Sequence, residues 1–256
     1  MSESAKQLIV ADERATAARA AGLLKNVTGI TLNMPAEQES PEPVSEFLDL
    51  VIQEMRSLRS RIDVREIERA TRLIIECESN GGRVHVTGVG KSEHIARYLA
   101  SLLSSTGTPA YFLHATECVH GSAGQVCKGD VAIVISNSGA TPEILAALQA
   151  LRSAEITVIG ISNNRGSPLA KRADLTLYAG ATREDGLLNL APRASVLAKM
   201  YLLCALSVAL EAQKGLTREQ YSRWHPAGAL GASARNVEPQ EPVASANRPP
   251  SGGPCL

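Results

Sequence analysis

Five short apolar runs set the rhythm of the middle of the chain. They are Val84–Thr87, Ala110–Leu113, Val131–Ile135, Ile156–Ile161 and Leu175–Tyr178. Runs of this length, bounded by turn residues and rich in β-branched side chains, are typical of buried strands. Helical patterns alternate with them at a spacing of roughly 25 residues, which is typical of βαβ units. The pattern therefore predicts an α/β fold, a doubly wound five-stranded parallel sheet flanked by helices.

The flanks of this region have a different pattern. Residues 5–26 form an Ala-rich amphipathic helical pattern, and two further helical patterns cover 44–60 and 64–80. We therefore predict extra N-terminal helices and three parts: an N-terminal helix and linker over 1–43, the α/β domain over 44–231, and a tail over 232–256. The tail carries five prolines and few apolar residues, so we expect it to be disordered.

Composition limits the classes of partner. The formal net charge of the 256 residues is zero and only 3% are aromatic, so no basic field or stacking platform attracts nucleic acid or anionic lipid. The most apolar helical pattern, Ala194–Leu210, is interrupted by Lys199. We expect it to be a core helix and not a membrane span. With an odd number of cysteines, no metal-finger spacing and no signal peptide pattern, we expect a cytoplasmic protein.

The third strand runs into Ser136-Asn137-Ser138-Gly139-Ala140-Thr141. A strand end, a tight turn and a helix N-terminus direct several backbone N–H groups and the positive end of the helix dipole at one point. The hydroxyl groups of Ser136, Ser138 and Thr141 can add donors. This segment therefore predicts a phosphate-binding loop.

A glycine turn follows the first strand in Gly88-Val89-Gly90-Lys91-Ser92. It is not a Walker A loop, because His85 stands where that motif needs a glycine, and Glu93 breaks the dinucleotide fingerprint in the same way. What remains is a turn that brings Lys91 and Ser92 to a helix N-terminus. Because a lysine there opposes the helix dipole, an anionic ligand explains it better than the turn alone.

Other polar residues admit both structural and chemical interpretations. Glu143 lies in a first helical turn, where a carboxylate also favours the dipole, and Glu184 could equally belong to a surface turn. His114 and His120 follow the second strand, but two histidines alone are a weak metal signal. His225 lies beyond the last core helix, in a segment that could fold over a neighbouring subunit.

Taken together, these segments resemble the sugar isomerase (SIS) domain family. Within that family they are most similar to the arabinose 5-phosphate isomerases that feed Kdo synthesis. The segments that carry the resemblance are Gly88–Ser92, Ser105–Pro109, His114–Gly121, Ser136–Gly139 with Glu143-Ile144, Glu184–Pro192 and His225–Gly231. The likeness runs from about residue 44 to residue 231.

The resemblance implies an aldose–ketose isomerase that converts D-ribulose 5-phosphate and D-arabinose 5-phosphate into each other through a cis-enediol. It places the catalytic residues at Lys91, Glu143, Glu184 and His225. It places substrate contacts at Gly107, Thr108 and His120. The two strand-to-helix turns add Ser92, Ser136, Asn137, Ser138 and Thr141 as candidate substrate-binding residues. The metal-associated position is His114, a candidate zinc ligand, although no cofactor is required. We expect a homotetramer with active sites at subunit interfaces.

The chain also departs from the family pattern. Typical members carry a C-terminal pair of CBS domains, whereas here a short proline-rich tail follows Gly231. Ala140-Thr141-Pro142 and Arg193-Ala194-Ser195 replace hydroxyl-rich strings of the family. Substrate preference could therefore differ, and two alternatives stay open: a non-catalytic sugar-phosphate regulator, or an isomerase of a hexulose or heptose phosphate.

Overall fold

A computed structural model describes residues 42–184, 186 and 188–236 of the chain. The predicted helix over 5–26 and the end of the predicted tail lie outside these residues. The chain divides into a unit Met1–Glu46 and a unit Phe47–Leu256. Of the first unit only the beginning of one helix is described, so every contact given below belongs to the second.

The described elements alternate as the sequence predicts. The helices are α1 (Glu42–Arg61), α2 (Val64–Ser79), α3 (Lys91–Ser105), α4 (Pro142–Ser153), α5 (Pro168–Arg172), α6 (Ala194–Lys214), α7 (Arg218–Trp224) and α8 (Ala229–Asn236). The strands are β1 (Val84–Gly88), β2 (Ala110–Phe112), β3 (Val131–Ile135), β4 (Thr157–Ser162) and β5 (Leu175–Tyr178). Two 3₁₀ turns, Thr116–His120 and Ser122–Gln125, follow β2. All five predicted strands are confirmed.

The strands form one parallel sheet in the order β2-β1-β3-β4-β5. β1 and β3 are paired over their whole length, from Val84 opposite Val131 to Gly88 opposite Ile135. From β1 the next strand, β2, is added at one edge of the sheet, whereas β4 and β5 are added after β3 in the opposite direction. The direction of the strand order therefore reverses between β1 and β3. In open α/β sheets the crevice at such a reversal, outside the carboxyl ends of the strands, is where ligands bind.

The core consists of two layers separated by the sheet. Val131, Ile133 and Ile135 of β3 belong to one buried cluster, which also contains side chains of α2, α3 and α6. Ala132 and Val134 belong to the other cluster, which is covered by α4 and α5. This alternation is the period-two pattern of a strand whose two faces are both covered. The strand therefore places its terminal residues in a rigid frame.

α6 is the one helix, among the residues that the structure describes, whose length and composition would allow it to cross a membrane. Half of that apolar window is buried, and Leu202, Leu203, Leu206 and Leu210 are core residues. The helix therefore serves as packing for the sheet, as the sequence predicts for this segment.

Two elements near the C-terminus were not predicted from the sequence. α7 and α8 follow α6, the core helix that the sequence predicts. α8 continues to Asn236, past the predicted start of the tail at 232. α7 begins with a capping box, in which Thr217 and Gln220 exchange side-chain-to-backbone hydrogen bonds. This local signal is short, and no buried residue accompanies it in α7, so hydrophobic periodicity could not reveal the helix.

A buried carboxylate fixes the amino edge of the sheet. Asp130, 2% exposed, accepts hydrogen bonds from the backbone N–H groups of Arg83 (2.8 Å) and Cys127 (2.8 Å) and from His85 Nε2 (2.9 Å). Burial by itself would raise the pKa of Asp130, but these three hydrogen bonds outweigh it and hold the pKa below the ordinary 3.8. The carboxylate thus joins the starts of β1 and β3.

We predict that Asp130→Ala lowers the free energy of unfolding by about 2 to 4 kcal/mol, because one buried donor, His85 Nε2, and two part-buried backbone N–H groups lose their acceptor. Urea unfolding monitored by circular dichroism measures this loss. Because the folded-state pKa is lowered, the wild-type contribution is complete above the unfolded-state pKa and is lost as the pH falls through the folded value. Glu155→Ala removes an exposed ion pair with Lys128 and serves as the control; an equal loss in both variants would contradict the assignment.

Candidate active site

A cavity of about 260 Å³ opens at the carboxyl edge of the sheet, where β1 and β3 end side by side. Residues from both strand-to-helix turns line it, together with one proline from the segment before α6. The lining residues are Val89, Lys91, Ser92, Ile135, Ser136, Asn137, Ser138, Thr141, Ile144 and Pro192. The structure therefore brings together six of the residues that the sequence nominates for this site.

The segment Ser136–Thr141, which we call the anion cradle, is held by hydrogen bonds within its own turn. Ser136 Oγ accepts from the Gly139 N–H (3.1 Å) and lies 3.3 Å from Thr141 Oγ1. Gly139 has a φ of +65°, and a Cβ on it would lie 2.2 Å from Ser167 Oγ. Only glycine fits such a backbone at such a close approach. The turn is therefore a specific, tightly packed structure.

Two helix N-termini face this cavity. α4 begins after Thr141, whose side chain makes no capping hydrogen bond, and α3 begins after Gly90, which has no side chain to cap with. The first N–H groups of a helix have no partner within the helix, and the dipole gives this end a partial positive charge. Both helices therefore offer unsatisfied donors to an anion at one place.

The β1–α3 turn places a cation at the same cavity. Gly88 approaches the next helical turn so closely that a Cβ would lie 2.6 Å from the Ser92 carbonyl oxygen. This approach presents Lys91 and Ser92 to the cavity lining. The Lys91 side chain belongs to an exposed residue, so its ammonium group can reach a ligand in the opening.

Glu184 lies on the loop after β5 and caps α6. Its Oε2 accepts from the backbone N–H groups of Arg193 (2.7 Å) and Ser195 (3.1 Å). The loop is anchored from α1 by Glu54, a buried carboxylate that accepts from the backbone N–H and the hydroxyl of Thr182. Glu184 therefore has a fixed position close to Pro192, which lines the cavity, although it is not itself a lining residue.

A buried lysine lies behind the anion cradle. Lys199, 1% exposed, donates to Asn137 Oδ1 (2.7 Å) and to the Ser195 carbonyl oxygen (2.9 Å). Burial lowers the pKa of Lys199 to about 8, while the field of Glu184 acts in the opposite direction. The ammonium group is therefore linked by one hydrogen bond to a residue that lines the cavity.

The remaining residues of the carboxyl edge lie around the cavity without lining it. Glu143 is exposed in the first turn of α4. His120 is exposed at the end of the first 3₁₀ turn, and His114 Nδ1 lies 2.9 Å from Thr116 Oγ1. Within the described ranges, no group of three or more His, Cys, Asp or Glu side chains could hold a metal ion. The possible metal ligands around His114 in this chain are therefore too few for a zinc centre.

Three nominated residues lie at the other end of the molecule. Gly107 and Thr108 precede β2, and Lys214 Nζ donates to the Gly107 carbonyl oxygen (3.0 Å) and to Thr108 Oγ1 (2.6 Å). The ring of Trp224 packs on Gly107, where a Cβ would lie 2.3 Å from it. His225 follows directly, and its ring stacks on Tyr221 at 4.0 Å.

The length of α3 separates the two groups of site residues. Lys91 is its first residue, and Gly107 lies two residues beyond its end at Ser105. Fifteen helical residues span about 22 Å, which exceeds the reach of one small ligand. Within one copy of the chain, therefore, His225, Gly107 and Thr108 do not share the cavity with Lys91 and the anion cradle.

Sequence reasoning missed Lys199 and Glu54 as parts of the site. Lys199 lies in the middle of an apolar helix pattern, where it only looked like an interruption. Its departure from the pattern was the available signal, because an isolated buried lysine needs partners. Glu54 lies on an otherwise exposed stretch of α1, and its partner, Thr182, is 128 residues away, so no local pattern could identify it.

Comparisons with known proteins agree with this architecture. Residues 79–209 match the SIS domain family. An arabinose 5-phosphate isomerase KdsD of Francisella tularensis is 39% identical over 186 residues, which are 73% of this chain and 57% of the relative. The KdsD of Pseudomonas aeruginosa is 44% identical over 150 residues, 59% of this chain and 46% of the relative.

A solved structure of an E. coli CFT073 protein in complex with A5P superposes with a TM-score of 0.65 at 34% identity, covering 73% of this chain and all of that one. The chain spans about half the length of the curated relatives it matches. The parallel sheet, the two helix N-termini at its carboxyl edge and these matches agree, and the chain belongs to the SIS domain family.

Proposed function

We propose that the chain is an aldose–ketose isomerase that converts D-ribulose 5-phosphate and D-arabinose 5-phosphate into each other through a cis-enediol. The observation that carries the proposal is the cavity at the β1/β3 switch, where the anion cradle, two helix N-termini and Lys91 converge. Its volume of about 260 Å³ lies just below the usual range of ligand sites, which run from about 300 to 1,000 Å³. A small, strongly anionic substrate suits it.

The relatives that are 39% and 44% identical are named arabinose 5-phosphate isomerases, and the solved neighbour holds A5P. These names favour a pentose phosphate over the hexulose and heptose phosphates. We also propose a cytoplasmic role in supplying the Kdo pathway, on the grounds of the resemblance and the cysteine pattern described above.

In the proposed mechanism the phosphate binds at the anion cradle, where Ser136, Ser138 and Thr141 add hydroxyl donors to the backbone N–H groups. Lys91 stabilises the negative charge that develops on the sugar oxygens. This geometry holds the carbonyl end of the open-chain sugar away from the phosphate, toward the rim where Glu184 and Glu143 lie. No cofactor enters the proposal.

The chemistry is a proton transfer between C1 and C2. A base removes the C1 proton of the ketose while the C2 carbonyl oxygen takes up a proton, which gives the cis-enediol. The protonated base exchanges its proton with solvent and then protonates C2, while the O1 hydroxyl loses a proton, which gives the aldose. We assign the base to Glu184, with Glu143 as the alternative, and ring opening or hydroxyl proton transfer to His225.

His225 can take this role only if a second copy supplies it, because it lies with Gly107 at the opposite end of α3. An apolar stripe on α6 supports such an assembly. Leu197, Tyr201 and Val208 are exposed by 42%, 42% and 63%, and Tyr98 of α3 is exposed by 45%. Since apolar side chains at this helical spacing form contact faces, we propose that copies pair through this stripe within a homotetramer.

We predict that the purified chain isomerises ribulose 5-phosphate at least tenfold more efficiently, in kcat/KM, than hexulose or heptose phosphates. A panel of pentose, hexose and heptose phosphates, followed by product chromatography, measures the ratio. Binding without turnover of every member would contradict the enzyme assignment and favour a regulator. Preference for a longer sugar would contradict only the substrate assignment.

We predict that Glu184→Gln lowers kcat by about 10² to 10⁴, because a general base is lost. The glutamine carbonyl can still accept the hydrogen bonds from Arg193 and Ser195, so the melting temperature should stay near that of the wild type. Glu76→Gln, exposed on α2, is the matched control and should keep full activity. Wild-type kcat in both Glu184→Gln and His225→Ala would refute both role assignments.

We predict that mixing inactive Glu184→Gln and His225→Ala proteins, by joint unfolding and refolding, restores activity. If each site takes its glutamate from one copy and its histidine from another, random pairing restores about a quarter of wild-type activity. Mixing either variant with itself is the control. No recovery, although native mass spectrometry shows mixed oligomers, would place both residues in the same subunit's site.

A further inference from the structure

Lys199 is the one buried ammonium group whose hydrogen bond leads directly to a lining residue of the cavity, among the residues that the structure describes. An ionised lysine that is 1% exposed needs compensation, because removing a charge from water is costly unless it is paired. Its two hydrogen-bond partners, Asn137 Oδ1 and the Ser195 carbonyl oxygen, are both neutral. Among the described residues, the charged group that acts on it is Glu184, which caps α6 through Oε2. The positive charge of the ammonium group is therefore only partly neutralised, and the group points at Asn137 of the anion cradle.

The contact with Asn137 fixes the orientation of that side chain. An ammonium group has three donors and no acceptor, so the atom it touches must be the amide oxygen. The backbone is also held, because the Asn137 carbonyl oxygen accepts from the Asn163 N–H (3.0 Å) and from Ser162 Oγ (3.2 Å). The amide NH₂ group at Nδ2 is therefore the group of Asn137 that remains available to the cavity.

We infer that Lys199 is a positioning residue for anion binding. It holds Asn137 with the amide NH₂ group of that side chain toward the cavity, and it places a positive charge behind the anion cradle. Lys199 does not touch the ligand. It polarises the Asn137 amide through Oδ1, which makes Nδ2 a stronger donor to a phosphate oxygen. The inference deepens the proposed function, since it concerns the same site, but it requires only that the cavity binds a tetrahedral dianion.

A protonation dependence follows from the surroundings of Lys199. It faces Asn137 from the β3–α4 turn, Glu184 from the loop after β5 and the Ser195 carbonyl oxygen on its own helix, while Lys91 lines the same cavity from α3. Burial brings its pKa to about 8. A dianion nearby favours the charged form, so binding above this pH takes up a proton, and affinity falls as the pH rises.

The test uses sulfate, which stays a dianion over the whole range, and isothermal titration calorimetry on the full chain from about pH 6.5 to about pH 9.5. For the wild type we expect a constant Kd below about pH 7.5 and a Kd that rises by up to about tenfold in total above about pH 8, toward the value for an uncharged Lys199. For Lys199→Met we expect a Kd about tenfold weaker at neutral pH, without a rise in that window. Lys128→Met, an exposed lysine remote from the cavity, should match the wild type.

A double-mutant cycle separates positioning from simple packing. Asn137→Ala removes the amine that Lys199 orients, so Lys199→Met should weaken sulfate binding much less in the Asn137→Ala background. Additive losses, or a wild-type Kd that is constant up to about pH 9.5, would overturn the inference. The wild-type titration remains decisive if the Lys199→Met protein fails to fold. Failure of the sugar isomerase assay with an intact sulfate response would refute the proposed function alone.

Discussion

The parallel pairing of β1 with β3 is the constraint on which the site depends. Because the two strands lie side by side in full register, the helices that follow them begin at the same edge of the sheet. Neither helix has a side-chain cap on its first N–H groups, and the cavity lies between them. Asp130 joins the opposite ends of these strands through three hydrogen bonds. These hydrogen bonds at the amino edge hold the two strands together, and the register of the strands sets the geometry at the carboxyl edge.

Charge at this edge is distributed in layers. Lys91 stands at the opening, backbone N–H groups and hydroxyls form the wall, and Lys199 lies behind Asn137. Glu184 neutralises the N-terminus of α6, the third helix to begin here. A carboxylate in that position lies beside the segment that lines the cavity and acts on Lys199. The proposed base is therefore held by the same backbone groups that order the site.

The sequence predicts much of this arrangement because its signals are local. Buried strands and glycine turns lie within short segments, and Ser136–Thr141 and Gly88–Ser92 are both such segments. Contacts between residues that are far apart in the sequence cannot be predicted from such local signals. Neither the Lys199–Asn137 hydrogen bond, across 62 residues, nor the docking of Trp224 on Gly107 follows from periodicity. Resemblance assigned His225 and Lys91 to one site, and the length of α3 shows that one copy of the chain does not bring them together.

Proton transfer at a single anion-anchored site is the central claim, and hydrogen exchange tests it most directly. Ribulose 5-phosphate is incubated with the protein in D₂O, and proton NMR follows C1 of the ketose and C2 of the aldose. An enediol formed by a carboxylate base predicts arabinose 5-phosphate that carries deuterium at C2, with excess sulfate suppressing its formation. Turnover with complete retention of the transferred hydrogen, or deuterium incorporation that sulfate leaves unchanged, would contradict the account.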